Sequence, residues 1–104
     1  MSENDDEQKT NRMRLPNEKD KEVLGIVVSL LGAGRLLVSC SDGKERVCRI
    51  PGKMRRFIWV RENNYVIVKP WDIEGDSKGD VVWRYNKFQE EWLKKNGHLK
   101  NIDL

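Results

Sequence analysis

The pair Asp42–Gly43 constrains this chain more than any other feature, because it separates two segments in which apolar and polar residues alternate. These segments are RLLVSCS (35–41) and KERVCRI (44–50). A short Asp-Gly loop between two such segments is a strong signal for a β-hairpin. A three-residue loop with Gly43 in the left-handed conformation is the more coherent choice, because it aligns apolar side chains of both segments on one face. That face carries Leu36, Val38, Cys40, Cys48 and Ile50, and Leu37, Ser39, Val47 and Arg49 lie on the other.

The same register excludes a disulfide between the two cysteines, Cys40 and Cys48. Four residues along the strands separate them, or roughly 13 Å at the usual rise per residue. A disulfide needs Cα atoms within about 7 Å. A two-residue turn shortens the separation but places the thiols on opposite faces. We therefore expect two free thiols inside the core, as is typical of a protein in a reducing compartment.

Three further segments read as strands. EVLGIVVSLL (22–31) is apolar and β-branched, with Gly25 as a candidate bulge or bend, and the glycine-rich residues 32–34 should reverse the chain. YVIVKP (65–70) is a fourth strand, which Pro70 either ends or places at the edge of the sheet. After the turn residues EGDSKGD (74–80), VVWRY (81–85) is the fifth.

The period changes after residue 85 to that of an amphipathic helix. Asn86 and Gln89 have the spacing of a capping box, and Gly97 follows the last turn. The pattern predicts a helix over residues 86–96, with Phe88, Trp92 and Leu93 packed on the sheet.

Five short strands with one short helix favour a small closed barrel, because closure removes exposed strand edges. We predict a mainly β, five-stranded OB-fold barrel with a short C-terminal helix, and an SH3-like barrel is the alternative. The predicted organisation is a flexible, disordered N-terminal tail over residues 1–21, an OB-fold RNA-binding domain over 22–98 and a short C-terminal tail over 99–104. No run of residues is long and apolar enough for a membrane span, and the acidic N-terminus is no secretory signal. We expect a cytoplasmic monomer without contact to membranes.

The distribution of charge points to a polyanionic partner. Residues 1–22 hold five basic and seven acidic side chains, whereas residues 23–104 hold fifteen basic and ten acidic ones. Seven of the cations lie between Lys44 and Arg61, where Glu45 is the single acid. A basic body with a concentrated patch is typical of a nucleic-acid-binding protein, and a merely solvated face is the alternative.

The stretch RIPGKMRRFIWV (49–60) combines these cations with a large ring. In a small barrel this connection lies on the surface, so Lys53, Arg55 and Arg56 are expected to face solvent. RNA-binding surfaces combine such cations with rings on which bases stack, and Trp59 supplies the ring. Arg46 and Arg61 are close enough in sequence to extend the surface. Two placements of Trp59 remain open: exposed beside the loop, or inserted into the end of the barrel as a core residue.

Catalytic, cofactor and metal-dependent functions have no support in the sequence. His98 is the only histidine and lies beyond the predicted helix, where a general base would be poorly held. Residues 32–34 lack the following helix that a phosphate-binding loop needs. Two cysteines and one distant histidine form no zinc pattern, and the carboxylates between residues 72 and 80 match no calcium loop. We expect neither a catalytic residue nor a cofactor.

Three motifs taken together resemble the translation initiation factor 1A family of archaea and eukaryotes, of which bacterial initiation factor 1 is a more distant relative. They are CRIPGKMRRFIWV, YVIVKPWD and GDVVWRY…EWLKKNG, and the resemblance covers roughly residues 22–98. The turn Glu62-Asn63-Asn64 stands where the family often has Glu-Gly-Asp, and asparagine serves such a turn. The sequence has neither the strongly basic N-terminal tail nor the long acidic C-terminal tail of eukaryotic members, which favours an archaeal type.

The resemblance implies an OB-fold that binds the decoding region of the small ribosomal subunit, blocks the aminoacyl site and assists start-codon selection. It implies ribosomal RNA, a ribosomal protein and other initiation factors as partners. By this resemblance the RNA-binding residues are Lys53, Met54, Arg55, Arg56 and Trp59, with Arg46 and Arg61 added by proximity. A general single-stranded RNA-binding protein or RNA chaperone and an SH3-like protein-interaction adaptor are the alternatives.

Overall fold

The computed structural model describes residues 14–52 and 59–99 of the 104-residue chain. These described residues contain five β-strands and one α-helix, preceded by one turn of 3₁₀ helix over Glu18–Asp20. The elements are β1 (Val23–Gly32), β2 (Arg35–Cys40), β3 (Glu45–Arg49), β4 (Tyr65–Pro70), β5 (Lys78–Arg84) and α1 (Lys87–Lys95).

The five strands close into a barrel in the order β1-β2-β3-β5-β4. The first part of β1 pairs with β4 on one side and β2 on the other, and both pairings are antiparallel. The barrel is completed by a parallel pairing of β3 with β5 and an antiparallel pairing of β4 with β5. This order, with its single parallel pair, is the topology of an OB-fold, so the predicted fold class is confirmed and the SH3-like alternative is wrong.

The predicted hairpin is confirmed in its register as well as its position. Leu36 lies opposite Cys48, and Val38 lies opposite Arg46. Gly43 closes the loop with φ of +86°, a conformation that costs glycine little. The two cysteines are buried free thiols, as the register requires.

Gly25 is neither a bulge nor a bend. Its backbone pairs regularly with Cys40 and with the facing strand β4, and a Cβ atom at Gly25 would lie 2.5 Å from a methyl group of Val38. The irregularities in β1 come later, between Val27 and Ser29 and between Leu30 and Gly32. Glycine is therefore required at position 25 because the strands approach closely there, not because the strand bends.

Strand β5 begins at Lys78, three residues before the predicted start at residue 81. Gly79 and Asp80, which were expected to lie in a turn, pair with both β3 and β4. Polar turn-forming residues continue the strand here because neighbours on both sides satisfy their backbone groups.

The core has two parts, one inside the barrel and one outside it. The interior is filled by small and branched side chains: Val27, Leu36, Val38, Cys40, Cys48, Val66, Val68 and Val81. The second part lies between the barrel wall and α1, where Leu24, Ile67, Tyr85 and Leu93 pack together. The helix thus covers an apolar outer face of the sheet.

Helix α1 has the predicted capping box, with reciprocal hydrogen bonds between Asn86 and Gln89. Leu93 packs on the sheet as expected, but the same prediction for Phe88 and Trp92 is wrong, since their side chains are 68% and 38% exposed. Gln89 is buried in their place because its side chain accepts the Asn86 N–H beneath the first turn. No helix among the described residues is long and apolar enough to cross a bilayer.

Part of the predicted N-terminal tail, residues 14–21, contacts the barrel. The buried carboxylate of Glu22 accepts hydrogen bonds from the Asn17 backbone N–H, at 2.9 Å, and from the Arg14 guanidinium, at 3.0 Å. The Tyr85 hydroxyl donates to the Arg14 carbonyl. These contacts attach the chain before β1 to the same side of the barrel that α1 covers.

Candidate nucleic-acid interface

The connection between β3 and β4 leaves and rejoins the barrel at anchored positions. Ile50, at its start, and Val60, near its end, are partly buried and pack against the barrel interior. The chain then turns through Asn63, whose φ is +73°, and is tied to β1 by two backbone hydrogen bonds between residues 63–64 and Val27. Asparagine therefore serves this turn, as the sequence predicts.

Trp59 precedes the second anchor and is 77% exposed. Of the two placements that the sequence leaves open, the indole outside the barrel is the one observed. The barrel interior is formed instead by smaller side chains from all five strands. An exposed indole beside a basic segment is a surface on which a planar group can stack.

The indole lines a groove of about 360 Å³ at the end of the barrel where β1 turns into β2. Apolar side chains and glycine backbone form most of this groove, and its lining comprises Leu30, Gly32, Gly34, Arg35, Leu36, Ile50, Trp59 and Val60. Arg35 is exposed and brings a cation to the rim. The groove thus offers one ring, one guanidinium and closely approachable backbone, a combination suited to an unpaired nucleotide.

Arg35 was absent from the sequence-based prediction, although the sequence contained a signal for it. It follows the glycine-rich turn directly, and in the predicted hairpin register it lies opposite Arg49. That register therefore brings two exposed cations together at adjacent strand positions. Arg35 is far from Trp59 in the sequence, and only the folding of the strands brings the two residues to the same groove.

The other predicted residues differ in what the structure describes. Lys53, Met54, Arg55 and Arg56 lie outside the described residues. Arg61 is exposed, and within residues 14–52 and 59–99 no carboxylate lies within ion-pair distance of Arg61 or Arg35. Both guanidinium groups are therefore available to an anion.

Arg46 is not part of this surface. Its side chain is only 3% exposed and donates to both carboxylate oxygens of Asp42, at 3.0 and 2.8 Å, and to the carbonyl of Gly75. These bonds join the β2–β3 loop to the β4–β5 loop. Arg46 therefore stabilises the barrel and has no exposed face for a phosphate, which corrects the expectation drawn from its position in the sequence.

The electrostatics of this pair are those of a structural ion pair. The hydrogen bonds from Arg46 lower the pKa of Asp42, and the Asp42 carboxylate raises the pKa of Arg46 above its already high ordinary value. The hairpin register already indicates that Arg46 is not an exposed cation. It places the Arg46 side chain on the same face of β3 as that of Cys48, which is directed toward the core. A charged residue at a core position of a strand is retained when a partner is present.

No feature of the described residues indicates catalysis. Burial raises the pKa of the Cys48 thiol to about 12 and raises that of Cys40, so neither is an activated nucleophile. His98 stacks on Trp92 with ring centroids 5.3 Å apart. In the part of the chain that the structure describes, no three His, Cys, Asp or Glu side chains converge on a position for a metal ion.

Comparisons with known proteins identify relatives of this chain by sequence. The sequence model of the family "Translation initiation factor 1A / IF-1" matches residues 10–103. Translation initiation factor 1A of Methanococcus maripaludis strain C7 is 53% identical over 92 residues, which are 88% of each chain. The same factor of Archaeoglobus fulgidus is 54% identical over 89 residues, which are 86% of this chain and 91% of that one.

A solved structure supports the same comparison at the level of the fold. The solution structure of bacterial translation initiation factor 1 from the Wolbachia endosymbiont of Brugia malayi superimposes with a TM-score of 0.51 at 30% sequence identity. The match covers 71% of this chain and 91% of that chain.

Proposed function

The chain belongs to the translation initiation factor 1A family, and on that premise we propose that it binds ribosomal RNA in the decoding region of the small ribosomal subunit. Members of this family are non-enzymatic translation factors, and this chain is one of them. Its action is occupancy: it fills the aminoacyl site and so promotes assembly of the initiation complex. It works as a monomer in the cytoplasm, next to a ribosomal protein and together with other initiation factors.

The observation that carries this proposal is the exposed indole of Trp59 beside unpaired cations. Trp59 is 77% exposed at the groove that Arg35 rims, and Arg61 follows two residues later. A base stacked on an aromatic ring contributes about 1–3 kcal/mol to binding, and each guanidinium adds an attraction to phosphate that salt weakens. A small acceptor site for one or two unstacked bases with a surrounding cationic rim follows from this arrangement.

The segment Lys53, Met54, Arg55 and Arg56 completes the proposed interface. Ile50 and Val60, which flank this segment in the sequence, pack into the barrel end next to the groove. Three cations in four residues at this position favour insertion among RNA phosphates, where several negative charges lie within reach at once. Met54, between Lys53 and Arg55, supplies an apolar contact to a base or sugar.

Co-sedimentation with purified small ribosomal subunits across a salt series tests the proposal. With five or six phosphate contacts, the slope of log affinity against log salt is about −4 to −5. Replacing Arg55 and Arg56 together by Ala lowers the affinity and reduces the magnitude of the slope by roughly 1.5, because two contacts are lost. The matched control is Lys94→Ala with Lys95→Ala, which removes two exposed cations of α1 and leaves the slope unchanged.

The alternatives give different results in the same experiment. A general single-stranded RNA-binding protein binds an unstructured RNA as tightly as it binds the subunit. A protein-interaction adaptor shows little salt dependence, and RNA does not quench its tryptophan fluorescence. Either result contradicts the proposed function.

A further inference from the structure

A row of charged side chains crosses the outer face of the barrel from β2 to β4. Arg35 pairs with Arg49, Arg49 pairs with Asp80, and Asp80 pairs with Lys69. Because neighbouring strands lie about 4.8 Å apart, the row extends for roughly 14 Å. The row starts at the Trp59 groove, since Arg35 belongs to both, and it continues across β3 and β5 to β4.

Arg49 is held in this row by both an ion pair and an aromatic ring. Its Nε donates to Asp80 at 3.1 Å, and its guanidinium lies 5.1 Å from the centroid of the Trp71 ring. The Trp71 indole N–H donates to the same carboxylate oxygen of Asp80, at 3.0 Å. One carboxylate therefore fixes both the ring and the cation that lies over it.

This arrangement leaves the two terminal nitrogens of the Arg49 guanidinium available for a further hydrogen bond. Asp80 accepts a hydrogen bond only from Nε of Arg49, and no acceptor among the described residues is bonded to the two terminal nitrogens of Arg49. The side chain is 57% exposed. A guanidinium whose Nε is already held by a carboxylate loses little conformational freedom when its exposed terminal nitrogens bind an anion. Those two nitrogens match the spacing of two phosphate oxygens.

Two lysines add positive charge around Arg49. Lys78 places its ammonium 5.9 Å from the Trp71 ring, and Lys69 is exposed on β4. A depression of about 320 Å³ adjoins Lys69 and is lined by Arg49, Lys69, Pro70, Trp71, Asp72 and Asp80. With Arg35 at the end of the row, this surface holds four cations and the two carboxylates of Asp72 and Asp80, which leaves an excess of positive charge.

From this geometry we infer a second RNA contact, centred on Arg49 and Trp71 and flanked by Lys69 and Lys78, which binds backbone phosphates. We call it the Arg49–Trp71 site. The inference rests on the proposed function and adds to it a strand of ribosomal RNA that runs from the Trp59 groove across β2, β3 and β5. Its length of roughly 14 Å accommodates more than one phosphate, given about 3.4 Å of axial rise per nucleotide in a helical strand.

Binding at this site carries no sequence preference. Arg49 and Lys78 both lie over the Trp71 ring, so this ring orients cations instead of stacking a base. Phosphate contacts of this kind set affinity and orientation, whereas base contacts specify sequence. The Arg49–Trp71 site is therefore expected to orient the barrel on the subunit while the Trp59 groove holds a base.

The first test compares two triple variants of the full chain in co-sedimentation with small ribosomal subunits. One replaces Arg49, Lys69 and Lys78 by Gln, and the control replaces three exposed lysines of α1 by Gln: Lys87, Lys94 and Lys95. Both variants lose three positive charges. We expect the first to bind at least tenfold more weakly near 0.1 M salt, with the salt slope reduced in magnitude by about 2–3, and the control to bind like the original chain. Equal effects of the two variants overturn the inference.

The variant Arg49→Lys separates orientation from charge, since it retains the cation but loses the two-nitrogen contact and the ring-stacked geometry. We expect a loss of about three- to tenfold with an unchanged thermal transition. Binding equal to that of the original chain overturns the role assigned to the guanidinium.

A tethered cleavage reagent identifies the partner directly. Cys40 and Cys48 are buried, so a thiol introduced by Lys69→Cys is labelled selectively with an iron chelate in the folded protein. We expect radical cleavage of ribosomal RNA around this position, and none at the same sites from the control Lys95→Cys. Cleavage of a ribosomal protein without RNA cleavage, as an acidic protein partner would give, overturns the inference.

The two proposals fail in distinguishable ways. If Trp59→Ala weakens binding while the Arg49, Lys69 and Lys78 triple variant and the tethered reagent give no effect, the Arg49–Trp71 site is wrong and the proposed function stands. If the original chain does not bind small subunits at all, both are wrong.

Discussion

Replacing Arg46 by Met tests whether this buried arginine stabilises the fold, in contrast to the exposed arginines that we expect to bind RNA. Arg46 lies between two loops and its side chain is 3% exposed, although its place among the cations of residues 44–61 suggested an RNA contact. Methionine retains much of the aliphatic length, so the substitution removes the hydrogen bonds with little change in packing volume. The expected result is a less stable protein whose folded form binds RNA normally.

The magnitude follows from the groups that lose their partner. Arg46 donates to both oxygens of Asp42 and to the Gly75 carbonyl, and hydrogen bonds to charged groups contribute about 1.5–3 kcal/mol each. The Asp42 side chain is 30% exposed, so water replaces part of the lost solvation. We therefore expect a loss of about 2–3 kcal/mol, near the lower end for a broken buried pair. For a domain of this size that corresponds to a fall in Tm of roughly 8–20 °C.

Urea unfolding and small-subunit binding, measured on the same preparations, provide the assay. Arg61→Met is the matched control, because Arg61 is exposed and has no carboxylate partner within residues 14–52 and 59–99. Arg61→Met should change the free energy of unfolding by less than about 0.5 kcal/mol and should weaken RNA binding. The reasoning is refuted if Arg46→Met unfolds like the original chain, or if its folded form binds small subunits more weakly.

The pH dependence of this pair has a definite sign. Arg46 lowers the pKa of Asp42, so the pair stabilises the fold fully above the unfolded-state value of about 3.9. That stability is lost as the pH falls through the lower folded-state value. Asp42→Asn should therefore be destabilising at pH 7, and the difference from the original chain should shrink as the pH is lowered below about 3.9. A difference that stays constant down to the acid transition contradicts the assignment.

Three further experiments test the packing. Gly79→Ala should destabilise by about 1–3 kcal/mol in urea unfolding, because its Cβ would lie 2.7 Å from a valine methyl, and a neutral result contradicts the close approach. Leu93→Ala should lower the free energy of unfolding by about 2–5 kcal/mol, because this side chain is fully buried. Phe88→Ala should lower it by less than about 0.5 kcal/mol, because Phe88 is 68% exposed. Equal losses would contradict the assignment of a buried and an exposed face to α1. Cys40 and Cys48 should react with a maleimide only after unfolding, since both are buried and burial raises their pKa values; rapid labelling of the native protein would disprove their burial.

Much of the fold was predictable from local sequence signals. The Asp42–Gly43 loop set the hairpin register because a left-handed residue and a fixed loop length leave one alignment. The capping box of Asn86 and Gln89 set the start of the helix. Both features depend on residues only a few positions apart, and a single sequence records such relations well.

The errors arose where contacts are made between distant segments. Gly79 reads as a turn residue, but strands on both sides of it extend β5 to Lys78. Phe88 and Leu93 are equally apolar in the sequence, and only the position of the barrel wall determines which one is buried. Arg46 stands among exposed cations in the sequence, but its side chain also donates to the carbonyl of Gly75, 29 residues further along the chain, and this contact holds it inside the barrel wall.

The candidate interface follows the same rule. The exposed Trp59 was among the placements that the sequence left open, and its identity as a ring beside cations was readable from residues 49–60. Arg35 and Arg49 become neighbours only through pairing of β2 with β3. The orientation of Arg49 by Trp71 and Asp80 joins three different parts of the chain, and no local pattern predicts it.

The binding of Trp59→Ala to purified small ribosomal subunits tests the central claim most directly, with Trp92→Ala as the control. Trp92 is an indole of α1 that is 38% exposed and lies outside the proposed surface. Loss of one base stacked on Trp59 lowers affinity by about 1–3 kcal/mol, or roughly 5- to 150-fold, while the Tm of Trp59→Ala stays unchanged and Trp92→Ala binds like the original chain. A Trp59→Ala protein that binds the subunits as tightly as the original chain contradicts the account.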